Sequence, residues 1–220
     1  MFENFERYIV HDITVPMHNK MVCWPGEHHQ FSHEYVKSMD MGDKVNISRI
    51  SASMHTGTHL DTPHHKINKR ETLDQYHIQA FMGKAYVIDL TDLNQHITRD
   101  DLKGKSFESY QYVLMKTSNS RLLAHKEFNE DYIALDSSAA EYLVKQDLKG
   151  VCIDYFSIDA FEIDHPVSHE IIFNSDVMIY EGVDLKNIEE GEYYFIGLPL
   201  KLIGTEGSLV RAILFEDQND

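Results

Sequence analysis

Cysteine is scarce in this sequence. Cys23 and Cys152 are its two cysteines in 220 residues, which excludes a disulfide framework; both sit in apolar surroundings and are expected as reduced core residues. Basic residues are also in deficit. Twenty Lys and Arg stand against 36 Asp and Glu, a net charge of −16. That balance argues against nucleic acid or an anionic membrane as a main partner and favours solubility. No apolar run approaches the roughly 20 residues of a membrane span. Residues Met1 to Arg7 lack the apolar core of a signal peptide. Repeats, low-complexity tracts and long linkers are missing too. A soluble cytoplasmic protein is the expectation.

What is present suits a globular chain. Hydrophobic residues make up 42%, with 12 Tyr and 11 Phe. The length suggests one domain over residues 1–220 with a large core. Strands are predicted over Tyr8–Val15, residues 45–53, Lys84–Leu90, Tyr110–Lys116, Val151–Tyr155, Val177–Tyr180, Tyr193–Leu198 and Leu209–Phe215. A short helix is expected at 74–82, and another after Thr98 as N-cap. A third runs from a Ser137 cap to about Gln146. Residues 117–136 read as loop. This rhythm predicts a mixed α/β (α+β) fold, a mixed sheet or barrel-like core with flanking helices.

Histidine is abundant, 14 in all, and its spacing carries the chemistry. Residues 55–65 read His55-Thr56-Gly57-Thr58-His59-Leu60-Asp61-Thr62-Pro63-His64-His65. Imidazole and carboxylate suit a zinc-like divalent cation at neutral pH. On a straight strand His55 and Asp61 would lie roughly 20 Å apart, whereas ligands of one ion sit only about 2 Å from it. Thr56, Gly57 and Thr58 disfavour a helix, and Pro63 would end one. A bent strand or tight loop remains, with Gly57 supplying the bend.

A second polar cluster holds Asp159, Glu162, Asp164 and His165 before Pro166, then His169. Pro166 suits a helix start, with His169 and Phe173 on one face. Glu181 ends a strand, where a carboxylate can be aimed into a cleft. Trp24, the single tryptophan, stands before Pro25-Gly26 as a packing residue or a pocket wall.

The pattern His55-x-Gly57-Thr58-His59-x-Asp61-x-Pro63-x-His65 resembles the signature of the cyclase family, which includes bacterial kynurenine formamidases. Asp12-Ile13-Thr14 with Pro16, Trp24-Pro25-Gly26, His169 with Glu181, and Gly207-Ser208 with Val210-Arg211-Ala212 resemble further family motifs in the same order. The resemblance implies a swivelling β/β/α-like architecture and a dimer or tetramer. It also implies a divalent-metal site, often with two zinc ions and sometimes with manganese. By position, His55, His59 and Asp61 would hold one ion. Asp61 would bridge to a second, completed by His169 and Glu181. His65 would be the proton donor and acceptor, with His64 its rival, and Trp24 would touch a small-molecule substrate.

A divalent cation lowers the pKa of bound water to about 7 and so supplies a nucleophile for amide cleavage. An aryl formamide such as N-formylkynurenine is one expected substrate. Departures from the family pattern at Glu27 and His28-His29, where the pocket is expected, keep cyclic amides or lactones of the isatin type open; the closing motif departs at Leu209. The competing class is a metal-binding protein without catalysis. Structural zinc sites are typically closed and Cys-rich, and neither Cys23 nor Cys152 lies near this stretch.

Overall fold

The computed structural model describes residues 5–26, 28, 30–161 and 167–218. Its strands are β1 (Tyr8–Asp12), β2 (Ser32–Lys37), β3 (Ile47–Ser51), β4 (His59–Asp61) and β5 (Met82–Asp89). They continue with β6 (Tyr112–Lys116), β7 (Gly150–Ile153), β8 (Met178–Glu181), β9 (Gly191–Pro199) and β10 (Gly207–Asp217). The helices are α1 (Arg99–Leu102), α2 (Ser137–Leu143) and α3 (Val167–Asn174). Eight strands form one sheet in the order β1-β10-β4-β8-β7-β6-β5-β9. The last of these pairs back onto β10, so seven strands close a ring and β1 lies outside it on β10. The expected barrel-like mixed sheet is thus what forms.

Two pairing modes share the ring. Strands β5 to β8 run parallel, and α1, α2 and α3 lie in the crossovers between them. The pairings of β4, β9 and β10 are antiparallel. Side chains alternate along the parallel strands, yet both faces are buried. Tyr112, Leu114, Cys152 and Tyr180 pack inside the ring with Leu60 and Phe195. Val113, Met115, Val151, Ile153 and Ile179 pack on the other face with Ala140, Leu143, Ile172 and Phe173 of the helices. Burial on both faces is why β6, β7 and β8 read as largely apolar runs, whereas β5 keeps Lys84 exposed.

Local chemistry moved some boundaries. Residues 74–82 form two 3-10 turns, Leu73–Gln75 and Ile78–Phe81, instead of one helix. Gln75 Oε1 accepts from the Thr72 N–H at 2.8 Å, and Tyr76 and His77 then return to extended backbone. Thr98 caps α1 as expected. For α2 the cap is Asp136, not Ser137: its Oδ1 accepts from the Ala139 N–H at 2.9 Å, and the helix stops at Leu143. Residues 117–136 include a 3-10 helix, Ser118–Ala124. It is pinned by buried Asp154, which accepts from the N–H and hydroxyl of both Thr117 and Ser120 at 2.7 to 3.0 Å.

Strands β2 and β3 form a separate two-stranded hairpin. Nearly every residue in it is exposed, including Tyr35, Val36, Ile47 and Ile50, with Met39 and Met41 between the strands. Without one buried face, Ser32–Lys37 carries no alternation that would mark it as a strand.

Candidate metal centre

Strands β4, β8 and β10 lie side by side. His59 stands directly opposite Glu181, and Asp61 opposite Ile179; across the other edge Gly207 faces Asp61. The close approach of β10 needs that glycine, since a Cβ at 207 would lie 2.6 Å from Leu60 O and 3.1 Å from Asp61 Oδ1.

The expected bend is at Gly57, which has φ +65°. Thr58 braces it: Oγ1 accepts from the Val15 N–H at 2.9 Å and donates to Gly182 O at 2.6 Å. Gly182 itself has φ +68°, and a Cβ there would lie 2.4 Å from Gly57 O. The bend folds His55 back until Nδ1 is 2.8 Å from Asp61 Oδ1. Pro63 then opens a 3-10 turn, Pro63–His65, that carries the His65 Nε2 to 4.0 Å from Asp61 Oδ2. Helix α3 delivers His169 from the far side. Its Nε2 lies 4.0 Å from Asp61 Oδ2 and 3.4 Å from Glu181 Oε1. Glu181 Oε2 lies 3.3 Å from His59 Nε2, so this carboxylate reaches toward both histidines.

His59 Nε2, His169 Nε2 and both carboxylate oxygens of Asp61 are buried without a hydrogen bond of good geometry, although His55 and Glu181 crowd close to them. Orphaned polar atoms in a protein interior are rare and costly. Here four of them converge, and all are atoms that donate to a cation. Two groups, His55/His59/Asp61 and Asp61/His65/His169, have donor atoms within 4.8 Å of one another and share Asp61. The donor set fits a divalent cation.

The outward nitrogens are held from behind. His59 Nδ1 donates to Gly57 O at 3.0 Å, His169 Nδ1 to Asp159 at 2.5 Å, and His55 Nε2 to Glu206 at 3.2 Å. Such contacts fix the ring orientation and tautomer of a metal-binding histidine. His65 is the exception: among the described residues neither of its ring nitrogens makes a hydrogen bond.

Charge organises the cluster. Burial alone would raise the Asp61 carboxyl, but the imidazoles of His55, His59 and His65 hold it well below the usual carboxylate range. For Glu181 burial is outweighed by His169 and His59, which bring it to about 2. Burial would depress His55 and His169; Asp61 beside the first, and Asp159 with Glu181 beside the second, lift each to about 9. His65 goes the other way. Burial, aided by the positive neighbours His55, Lys66 and His169, pushes it down to about 3 against the pull of Asp61.

The centre opens into a cavity of about 270 Å³ lined by Trp24, Phe156 and Ser157, with His55, Asp61, His65, Lys66, His169 and Glu181. Trp24 is seated edge-on against Phe128, ring centroids 5.1 Å apart. Of the seven residues singled out in the sequence, six line this cavity. His59 lies fully buried beneath it. His64 is not on its wall. Glu162, Asp164, His165 and Pro166 fall outside the described residues, as do Glu27 and His29; His28 is exposed. Two contributors were not legible: Asp159 was one acid among several, and Glu206 gave no signal.

The Cyclase family model matches residues 11–160. The chain belongs to the cyclase family. Similar curated proteins include a kynurenine formamidase of Bacillus cereus, 30% identical over 203 residues, covering 92% of this chain and 95% of the relative. Another, from Bacillus mycoides, is 32% identical over 206 residues with the same coverage. A solved structure described as a potential metal-dependent hydrolase with cyclase activity superposes with a TM-score of 0.82 at 32% identity, covering 96% of this chain and 98% of that one. Isatin hydrolase A from Labrenzia aggregata shares the fold, with a TM-score of 0.81 at 22% identity and 97% and 95% coverage. The kynurenine formamidases and the potential metal-dependent hydrolase place this cyclase-family protein among hydrolases. No helix among its described residues is long and apolar enough to cross a membrane.

Proposed function

We propose that this cyclase-family protein is a metal-dependent arylformamidase that hydrolyses an aryl formamide such as N-formylkynurenine. The observation that carries the reading is the convergence of orphaned ligand atoms beneath a cavity walled by Trp24 and Phe156. The kynurenine formamidases similar to nearly the whole chain support the substrate class.

His55, His59 and Asp61 would hold one divalent cation, and Asp61, His169 and Glu181 would hold a second. Zinc suits this set of imidazoles and carboxylates, with manganese the alternative. A cation held there would acidify water toward neutral pH and offer positive charge to the oxygen of the scissile carbonyl.

His65 moves the proton. Its position also suits a ligand, but it lacks the outer hydrogen bond that fixes the other three imidazoles. Its low pKa leaves the ring neutral at neutral pH, with one nitrogen free to accept a proton. Nε2 takes a proton from the attacking water and passes it to the leaving amine nitrogen, releasing formate and the free aromatic amine. Trp24 and Phe156 flank the aromatic ring of the substrate. The reaction is placed in the cytoplasm, in keeping with free Cys23 and Cys152. The protein works as a homodimer or homotetramer, with the exposed β2–β3 hairpin as the associating surface.

A hydrolysis screen across aryl formamides and cyclic amides, with and without chelator, tests this. Formamide turnover that disappears with chelator is expected. Stoichiometric metal with no turnover of any amide or lactone would leave a binding protein. Turnover of isatin alone would move the substrate to cyclic amides.

A further inference from the structure

We propose that Glu206 is a positioning residue that selects the metal-binding tautomer of His55, and so sets the affinity of the ion held by His55, His59 and Asp61. The inference rests on the metal centre proposed above. An imidazole presents a lone pair from one nitrogen only when the other carries the proton. In His55, Nδ1 faces the centre, 2.8 Å from Asp61 Oδ1, and Nε2 lies 3.2 Å from Glu206 Oε1. In the neutral ring, the form that can bind a cation, two proton placements compete. A proton on Nδ1 points at Asp61 and occupies the lone pair that the cation needs. A proton on Nε2 is donated to Glu206 and leaves Nδ1 open. The Glu206 carboxylate favours the second placement; without it, Asp61 is the acceptor that remains, and the ring settles in the blocking form.

Glu206 is placed for this by its own backbone. Thr62 donates to Glu206 O twice, from N–H at 2.9 Å and from Oγ1 at 3.0 Å, which anchors residue 206 to the segment just past Asp61. Gly207 then lets β10 come in close, since a Cβ there would sit 2.6 Å from Leu60 O; the His55 ring lies just beyond, with Cε1 3.6 Å from that position. The other two outer contacts are built differently. Gly57 O is main chain. Asp159 is buried and also accepts from the N–H groups of Ser168 and His169, at 2.8 and 3.2 Å. The Glu206 side chain is 37% exposed, so it can be exchanged without opening the core.

Titration of zinc into metal-free protein against a chromophoric chelator tests the assignment. Glu206→Ala is expected to weaken one of the two ions by about 10- to 100-fold, with the other within about twofold of wild type. Glu206→Gln keeps an acceptor oxygen and should recover most of the loss. In the cobalt-loaded protein, Glu206→Ala should perturb the visible spectrum of that same ion. The assignment is overturned if Glu206→Ala titrates like wild type, if Glu206→Gln is as weak as Glu206→Ala, or if both ions weaken equally. Wild-type protein that binds no divalent metal would overturn the centre itself, a different result from any of these.

Discussion

The closed sheet and the β2–β3 hairpin are built on the same hydrogen-bond ladder and differ in what lies beside it. Around the ring, β6, β7 and β8 are buried along their whole length, and the proposed ligands His59, Asp61 and Glu181 extend from strands whose backbones cannot shift independently. Around the hairpin almost nothing is covered, and Met41 is 85% exposed. An isolated two-stranded hairpin is marginal alone. Rigidity at the metal centre is therefore inherited from burial on both faces, and the hairpin is free to change without disturbing it.

The largest expected effect lies inside the ring. His59→Ala should remove metal and lower hydrolysis by roughly 10³-fold or more, about 4 kcal/mol of barrier; metal analysis and initial rates read both. His65→Ala sharpens the contrast between a strand-borne ligand and the untethered histidine. It should keep its metal and lose about 10²- to 10⁴-fold in rate; loss of metal instead would make His65 a ligand.

Gly182→Ala attacks the brace between β8 and the Gly57 bend. Its Cβ would meet backbone at 2.4 Å, and φ is +68°. A loss of about 2 to 4 kcal/mol in urea unfolding is expected; a variant as stable as wild type would mean the two loops part easily.

Proton competition gives a graded effect. In metal-free protein Asp61 raises His55 to about 9, and Asp159 with Glu181 raises His169 to about 9. Protonation of these raised groups stabilises the metal-free fold fully below about pH 6.5, their ordinary value, and the gain is lost as pH rises through 9. A cation must displace both protons. Apparent metal affinity should therefore fall as pH drops below 9, by roughly tenfold per unit for each proton displaced. A chelator competition with no slope between about pH 6 and 8 would contradict it.

The smallest effect belongs to the hairpin. Met41→Ser with Ile50→Ser should change subunit stability by under about 0.5 kcal/mol while sedimentation shifts toward monomer. Unfolding of the subunit would show that the hairpin is part of the core after all.

Legibility in the sequence followed burial. Tyr110–Lys116 and Val151–Tyr155 were readable because their centres, residues 112–115 and 151–153, are wholly apolar, although each strand is shorter than its run. Ser32–Lys37 was not, because no face of it is covered. The eleven residues from His55 to His65 announced a centre by residue type, and the impossibility of a straight strand already required the bend at Gly57. Glu206 could not be found that way. Its role depends on β10 lying against β4, and a single Glu before a glycine says nothing about which strand it will meet.

The ring closes on β10, which pairs with β4 through Gly207–Leu209 and with β9 through Val210–Phe215. During synthesis, then, every proposed ligand is made before the strand that aligns His59 and Asp61 against Gly207. A nascent chain holds all its imidazoles early and its cation late, so loading with metal belongs to the end of translation.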